Sequence, residues 1–97
     1  MSEQPIDPTV RRLRGEISEV DQAILDVVNA RIALVADLKR HKDAVGLPFL
    51  DPDRERDLIE ELDGRNAGPL SADGLRELYA YLLDLTKREV GKDGGPK

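Results

Sequence analysis

The sequence predicts an all-α fold of three helices, one long, one short and one of medium length, with no strand. Between Val10 and Val45 apolar residues recur every three or four positions, with no proline and only one glycine in the run. This period is typical of a helix that packs on one face. Start and stop signals divide the remaining chain into two further helices.

The composition predicts one domain, residues 1–97, with 1–8 and 92–97 disordered. The absence of cysteine excludes disulfides and thiolate metal sites, and a single histidine does not support a zinc site. The net charge of −5 argues against nucleic-acid binding. No apolar run approaches membrane-spanning length and the N-terminus does not resemble a signal peptide, so we expect a cytoplasmic protein. We expect no metal and no cofactor.

The helix boundaries follow from capping residues. Asp7 and Pro8 are the predicted N-cap and first residue of the long helix, and Gly46 is its predicted C-terminal cap. Asp51 is the predicted N-cap of the second helix, which we expect to end near Leu62.

The third helix is predicted to begin after an N-cap at Ser71 and to end at Gly91. Its predicted inward stripe includes Leu75, Leu78 and Thr86.

The length of the first helix predicts a homodimer. Its roughly 36 residues would span ~54 Å at ~1.5 Å per residue, whereas a compact chain of this size has a radius of gyration of only ~12–13 Å. A kink at Gly15 or Asn29, or a projecting end, would also resolve the mismatch. Coverage by a second copy of the chain does so more economically.

Two cations interrupt the apolar seam of this helix. Arg31 and Lys42 lie on the face of Val35 and Leu38, where the pattern requires apolar side chains. A buried, unpaired cation is costly, so this face calls for an anion. Two interpretations remain open from spacing alone. Both side chains could extend outward to solvent, or they could line a pocket for a small ligand that bears carboxylates.

The start of the second helix carries a second charged cluster. Asp51, Arg54 and Glu55 share one face and follow the short connection after Gly46. They could form only a capped, salt-bridged helix start. Alternatively, the connection brings them to the cations of the long helix, where a carboxylate would receive a ligand hydroxyl.

A set of motifs between Leu13 and Val90, in the same order and at matching separations, resembles the all-helical (AroQ-type) chorismate mutase family. The motifs are Leu13-Arg14-Gly15-Glu16-Ile17-Ser18, Val20-Asp21, Arg31, Lys42 and Asp51-Pro52-Asp53-Arg54-Glu55-Arg56. The resemblance implies an intertwined homodimeric helical bundle whose active sites draw residues from both subunits. It also implies the cofactor-free Claisen rearrangement of chorismate, a dianion, to prephenate in aromatic amino-acid biosynthesis.

The resemblance also implies roles for individual residues. Arg31 would bind one substrate carboxylate, and Arg14 of the other subunit would bind another. Lys42 would donate to the ether oxygen, where negative charge develops as the C–O bond breaks. Glu55, with the backbone near Asp51, would receive the ring hydroxyl.

The same resemblance places Arg54 at the anion site and Thr86 beside a substrate carboxylate. Val90 occupies a position where many family members carry a glutamine that contacts the ether oxygen. Valine cannot donate a hydrogen bond, so either Glu89 takes this role, Lys42 acts alone or the substrate differs. The loss of one such donor typically costs ~10²–10³ in rate. We therefore expect a weak catalyst that an activating partner enzyme could improve.

Two alternatives remain open at this point. A sister enzyme on the same scaffold would act as an aminodeoxychorismate mutase or an isochorismate pyruvate-lyase, and Val90 keeps this interpretation open. A non-catalytic dimeric helical module would tolerate replacement of the charges at Arg31, Lys42 and Glu55.

Overall fold

The computed structural model describes residues 7–94, with side chains described as far as Lys92, and this part of the chain forms three α-helices. Helix α1 spans Pro8–Val45, α2 spans Pro52–Arg65 and α3 spans Ala72–Gly94. The predicted all-α order of long, short and medium helices is confirmed. No helix in residues 7–94 is long and apolar enough to cross a membrane.

The helices begin at the predicted caps. The Asp7 carboxylate accepts a hydrogen bond from the Thr9 amide at 2.6 Å. The Asp51 carboxylate accepts from the Arg54 amide at 3.0 Å. The Ser71 hydroxyl oxygen accepts from the Gly74 amide at 2.9 Å. Each bond satisfies an amide that has no partner within its own helix.

The end of α1 also follows the prediction. Gly46 has a φ of +79°, a conformation that glycine adopts without steric cost. The Leu47 amide then donates to the Lys42 carbonyl oxygen at 2.8 Å, which closes the helix.

Two predicted helix ends are wrong. Helix α2 continues past Leu62 to Arg65, and α3 continues past Gly91 to Gly94. Neither Gly64 nor Gly91 has a positive φ, so both glycines remain helical and do not cap. Residues 92–94 are therefore helical although disorder was predicted, and Pro8 begins α1. The predicted disorder of 1–6 and 95–97 lies outside the described residues.

The chain divides into two compact units, Met1–Arg31 and Ile32–Lys97. In the described part of the first unit, α1 leaves its apolar stripe uncovered. All residues in this part of the unit are exposed except Val28 and Arg31, which are half-buried. The stripe residues are 41–63% exposed: Val10, Leu13, Ile17, Val20, Ile24 and Val27. An apolar stripe of this length on a water-facing helix is typical of an interaction surface.

The second unit contains the end of α1 together with α2 and α3, and α2 packs against α3. Leu78 was predicted to face inward but is 51% exposed, whereas Leu83 is buried instead. The buried face of α3 follows positions 75, 83, 86 and 90, which recur at helical spacing. Among residues 32–92, the buried residues are Ala36, Leu75, Leu83, Thr86 and Val90.

Candidate functional site

Arg14 and Arg31 belong to the first unit and lie on the same helix. Arg14 is exposed and makes no hydrogen bond or ion pair with the described residues, and Arg31 is half-buried. Their separation of 17 positions corresponds to about 26 Å along a helix. One small ligand is too short to contact both side chains of the same chain.

Lys42 lies in the second unit, near the end of α1. Its ammonium donates to the carbonyl oxygen of Phe49 at 3.3 Å, in a partly buried position. The neighbouring Lys39 lies over the Phe49 ring, 5.9 Å from its centre, and pairs with Asp43 at 3.0 Å. The connection between α1 and α2 is therefore held against the last turns of α1 by these two lysines.

Asp51 and Arg54 lie where α2 begins. The carboxylate of Asp51 is engaged in capping through the Arg54 amide. The Arg54 side chain is exposed and forms no ion pair within residues 7–94. Its guanidinium thus remains available for an anion, with planar two-pronged geometry suited to a carboxylate.

Glu55 lies one position further along α2 and is held by α3. The ammonium of Lys87 is 3.0 Å from one oxygen of its carboxylate and 3.2 Å from the other. Both side chains are about one-third exposed, at 32% for Glu55 and 35% for Lys87. The pair therefore fixes the carboxylate at the junction of α2 and α3, where one side remains open to solvent.

Among the α3 side chains as far as Lys92, the most buried are Thr86 and Val90, at 2% and 1% exposure. The Thr86 hydroxyl donates to the Leu82 carbonyl oxygen at 2.8 Å. Glu89 pairs with Lys92 at 3.2 Å, within the same helix. Val90 is thus the residue that faces inward at this level, and the Glu89 carboxylate is engaged elsewhere.

Most cations of the second unit are already neutralised by carboxylates. Among residues 32–92, every lysine and arginine forms an ion pair except Lys42, Arg54 and Arg65. Lys42 and Arg54 are also the two at which the sequence predicts an anion site. The unpaired cations and the accepting carboxylate of Glu55 suit an anion that also carries a hydroxyl group.

Two of the predicted site residues, Lys42 and Glu55, contact neighbouring segments of the second unit. Lys42 contacts Phe49 in the connection before α2, and Glu55 in α2 contacts Lys87 in α3. Arg14 and Arg31 belong to the other unit. No cluster of three or more metal-ligating side chains occurs among the described residues.

Sequence reasoning missed Lys87, the partner of Glu55. A signal was present, because Lys87 lies four positions after Leu83 and three before Val90, on the buried face of α3. A cation on such a face calls for a carboxylate, as the cations of α1 did.

Comparisons with known proteins bear on this arrangement. Residues 13–90 match the family model described as chorismate mutase type II. A bifunctional chorismate mutase/prephenate dehydratase from Aquifex aeolicus is 30% identical over 96 residues, 91% of this chain and 26% of that protein. The T-protein of Enterobacter agglomerans is 40% identical over 47 residues, 48% of this chain and 13% of its own length. The chain thus spans about a quarter or less of these relatives.

Two solved structures of chorismate mutase from Thermus thermophilus are similar in fold. One has a TM-score of 0.79 at 29% identity and aligns with 80% of this chain and 98% of its own. The other form has a TM-score of 0.81 at 28% identity, with 84% of this chain and 93% of its own covered.

Proposed function

We propose that this chain, which belongs to the type II chorismate mutase family, catalyses the Claisen rearrangement of chorismate to prephenate. The match over residues 13–90 carries the proposal, because it includes every residue of the predicted site from Arg14 to Val90. The chemistry of the residues supports it as well, because Lys42 and Arg54 form no ion pair within residues 32–92 and Glu55 is an acceptor at the start of α2. A cytoplasmic location, expected for an enzyme of aromatic amino-acid biosynthesis, is part of the same proposal.

The proposed mechanism uses fixed charges and no covalent intermediate. As the ether C–O bond breaks and the new C–C bond forms, negative charge develops on the ether oxygen. Lys42 has three N–H donors, of which one is directed to Phe49, so two remain for this oxygen. A donor placed in advance stabilises the developing charge without reorganisation.

The remaining groups of the site bind and orient the substrate. Arg31 and Arg14 of the other subunit bind its carboxylates, and Arg54 helps to shape the anion site. Glu55 accepts the hydrogen bond of its ring hydroxyl. Asp51, whose side chain caps α2, presents backbone near this hydroxyl. Thr86 lies beside a carboxylate, to which its hydroxyl donates when it turns away from the Leu82 carbonyl oxygen. These contacts hold the two reacting ends of the molecule together and so lower the entropic cost of the rearrangement.

Val90 limits the rate that this site reaches alone. Its side chain is apolar and buried, so it supplies no second donor to the ether oxygen. We propose that an activating partner enzyme compensates for this loss. The similarity to one part of a bifunctional protein supports the idea that such domains work beside a second enzyme.

We further propose an intertwined homodimer with shared active sites. Two features of the first unit support this, namely the uncovered apolar stripe of α1 and the separation of Arg14 from Arg31. A single substrate reaches both arginines only if they come from different subunits. A second copy that covers the stripe would also bring its own Arg14 to the site.

The activity is tested with purified protein and three substrates: chorismate, isochorismate and aminodeoxychorismate. Loss of chorismate with formation of prephenate is expected. If pyruvate is released from isochorismate, or if only aminodeoxychorismate is rearranged, the chain is a sister enzyme instead. No turnover of any of the three contradicts every enzymatic proposal.

The dimer is tested by sedimentation of the full chain and two variants. Ile17→Asp places a charge in the apolar stripe and should produce monomers. Gln22→Asp places the same charge on the opposite face of α1, where the residue is exposed, and should leave the dimer intact. A monomeric wild-type protein, or dimers that persist in Ile17→Asp, would refute the proposed interface.

A further inference from the structure

The ion pair between Lys87 and Glu55 differs from almost all others in the described chain. It joins residues 32 positions apart and connects α3 to α2. Apart from Arg76 with Asp63, the other ion pairs among residues 32–92 lie inside one helix. The pair therefore reports on the packing of two helices and not on local spacing.

The two interhelical pairs are not equivalent. Arg76 lies 3.7 Å from Asp63, with side chains 56% and 36% exposed, and also contacts Asp73. Lys87 lies 3.0 Å from Glu55 and both side chains are more shielded from solvent. A shorter and less exposed pair is less screened by water and salt, so it orients its partner more firmly.

The backbone position of Lys87 prepares this contact. Leu83 and Val90, one turn before and one turn after it, are buried, so the stem of Lys87 runs beside the core of the unit. Its ammonium contacts both oxygens of Glu55, within 3.0 and 3.2 Å. This arrangement restricts rotation of a carboxylate that is otherwise free to adopt several rotamers.

We propose that Lys87 is a positioning residue for Glu55. It holds the carboxylate in the orientation that accepts the ring hydroxyl of the substrate, and so contributes to recognition of that hydroxyl without contacting the reacting atoms. This inference rests on the proposed function, since it assigns Lys87 a role in the same site.

The kinetic test compares Lys87→Met with Arg76→Met, which removes the other interhelical pair. The hydroxyl takes no part in bond breaking, so its hydrogen bond contributes equally to substrate and transition state, and its loss raises KM. We expect Lys87→Met to raise KM roughly 10- to 100-fold, as for loss of one hydrogen bond to a charged group. Arg76→Met should leave KM unchanged. Loss of folded protein would lower the apparent kcat without raising KM.

Two further measurements separate positioning from packing. Lys87→Arg keeps the charge and should restore KM to within about threefold of the wild type. In a Glu55→Gln background, Lys87→Met should change KM less than twofold, because the group it positions is already altered. Equal KM values for Lys87→Met and wild type, or an equal rise in Arg76→Met, would overturn the inference.

Absence of chorismate rearrangement by the wild-type protein would by itself contradict only the proposed function. A structural measurement tests the role of Lys87 even in that case. In crystals of the full chain, the Glu55 carboxylate should occupy one rotamer in the wild type and several in Lys87→Met. An unchanged single rotamer in both proteins would show that Lys87 does not position Glu55.

Discussion

Replacement of Lys42 by methionine tests the proposed electrostatic catalysis directly. Methionine keeps an unbranched side chain of similar length and removes the ammonium. Lys42 forms no ion pair within the described residues, so the change leaves no carboxylate without its partner there. The folded state loses only one hydrogen bond, to the Phe49 carbonyl oxygen.

The structure predicts a large effect on rate and a small one on stability. The bond to Phe49 is long, at 3.3 Å, and a hydrogen bond of ordinary geometry contributes about 1 kcal/mol to folding. The melting temperature should therefore fall by no more than about 4–8 °C. Loss of a donor to the developing oxyanion costs about 2.7–4 kcal/mol of the barrier, which lowers kcat by roughly 10²–10³.

The assay follows disappearance of chorismate at saturating and limiting concentrations, with melting followed by circular dichroism. Lys39→Met is the matched control, since Lys39 lies three residues earlier and its ammonium also contacts Phe49, over the aromatic ring. It should keep kcat within about threefold of the wild type, because its ammonium is already paired with Asp43. A Lys42→Met kcat within tenfold of the wild type, or an equal loss in Lys39→Met, would refute the role assigned to Lys42.

Three further predictions concern the shared site, the anion site and the cap of α1. Arg14→Ala and Arg31→Ala chains, each expected to lose at least ~10² in kcat/KM, should recover activity when mixed and allowed to exchange subunits. Failure of exchanged dimers to recover would contradict shared sites. Arg54→Ala should raise KM for chorismate at least roughly tenfold through loss of a cation that shapes the anion site; an unchanged KM would remove Arg54 from the site. Gly46→Ala should destabilise the fold by about 1–2 kcal/mol in urea unfolding, because Gly46 has a φ of +79°. The control Gly15→Ala, in a helix with no neighbour near the added methyl group, should instead stabilise it by about 0.5–1 kcal/mol.

The fold was predictable where it depends on neighbouring residues. Asp7, Asp51 and Ser71 cap their helices through bonds that span two or three positions, and Gly46 ends α1 within one turn. Such contacts depend only on short stretches of sequence. The predicted stops near Leu62 and at Gly91 were wrong because glycine permits a turn without requiring one.

The candidate site was only partly predictable. The charges at Lys42, Arg54 and Glu55 stood out because they interrupt apolar patterns or follow a cap, and the family match over residues 13–90 covers all three. Lys42 and Arg54 form no ion pair in the described chain, whereas their neighbours do. This difference could be seen only in the three-dimensional structure. Charge pairing depends on side-chain distances that sequence spacing does not determine across a loop.

The sequence by itself determined three helices, their starts and the seam of α1, because these depend on helical period and on caps a few residues long. Only the tertiary structure decided that Leu83 is buried in place of Leu78, that Val90 faces inward, and that Lys87 holds Glu55. The physical reason is the same in each case. These features depend on how α3 packs within its unit, and the partners that meet there lie tens of residues apart in the chain.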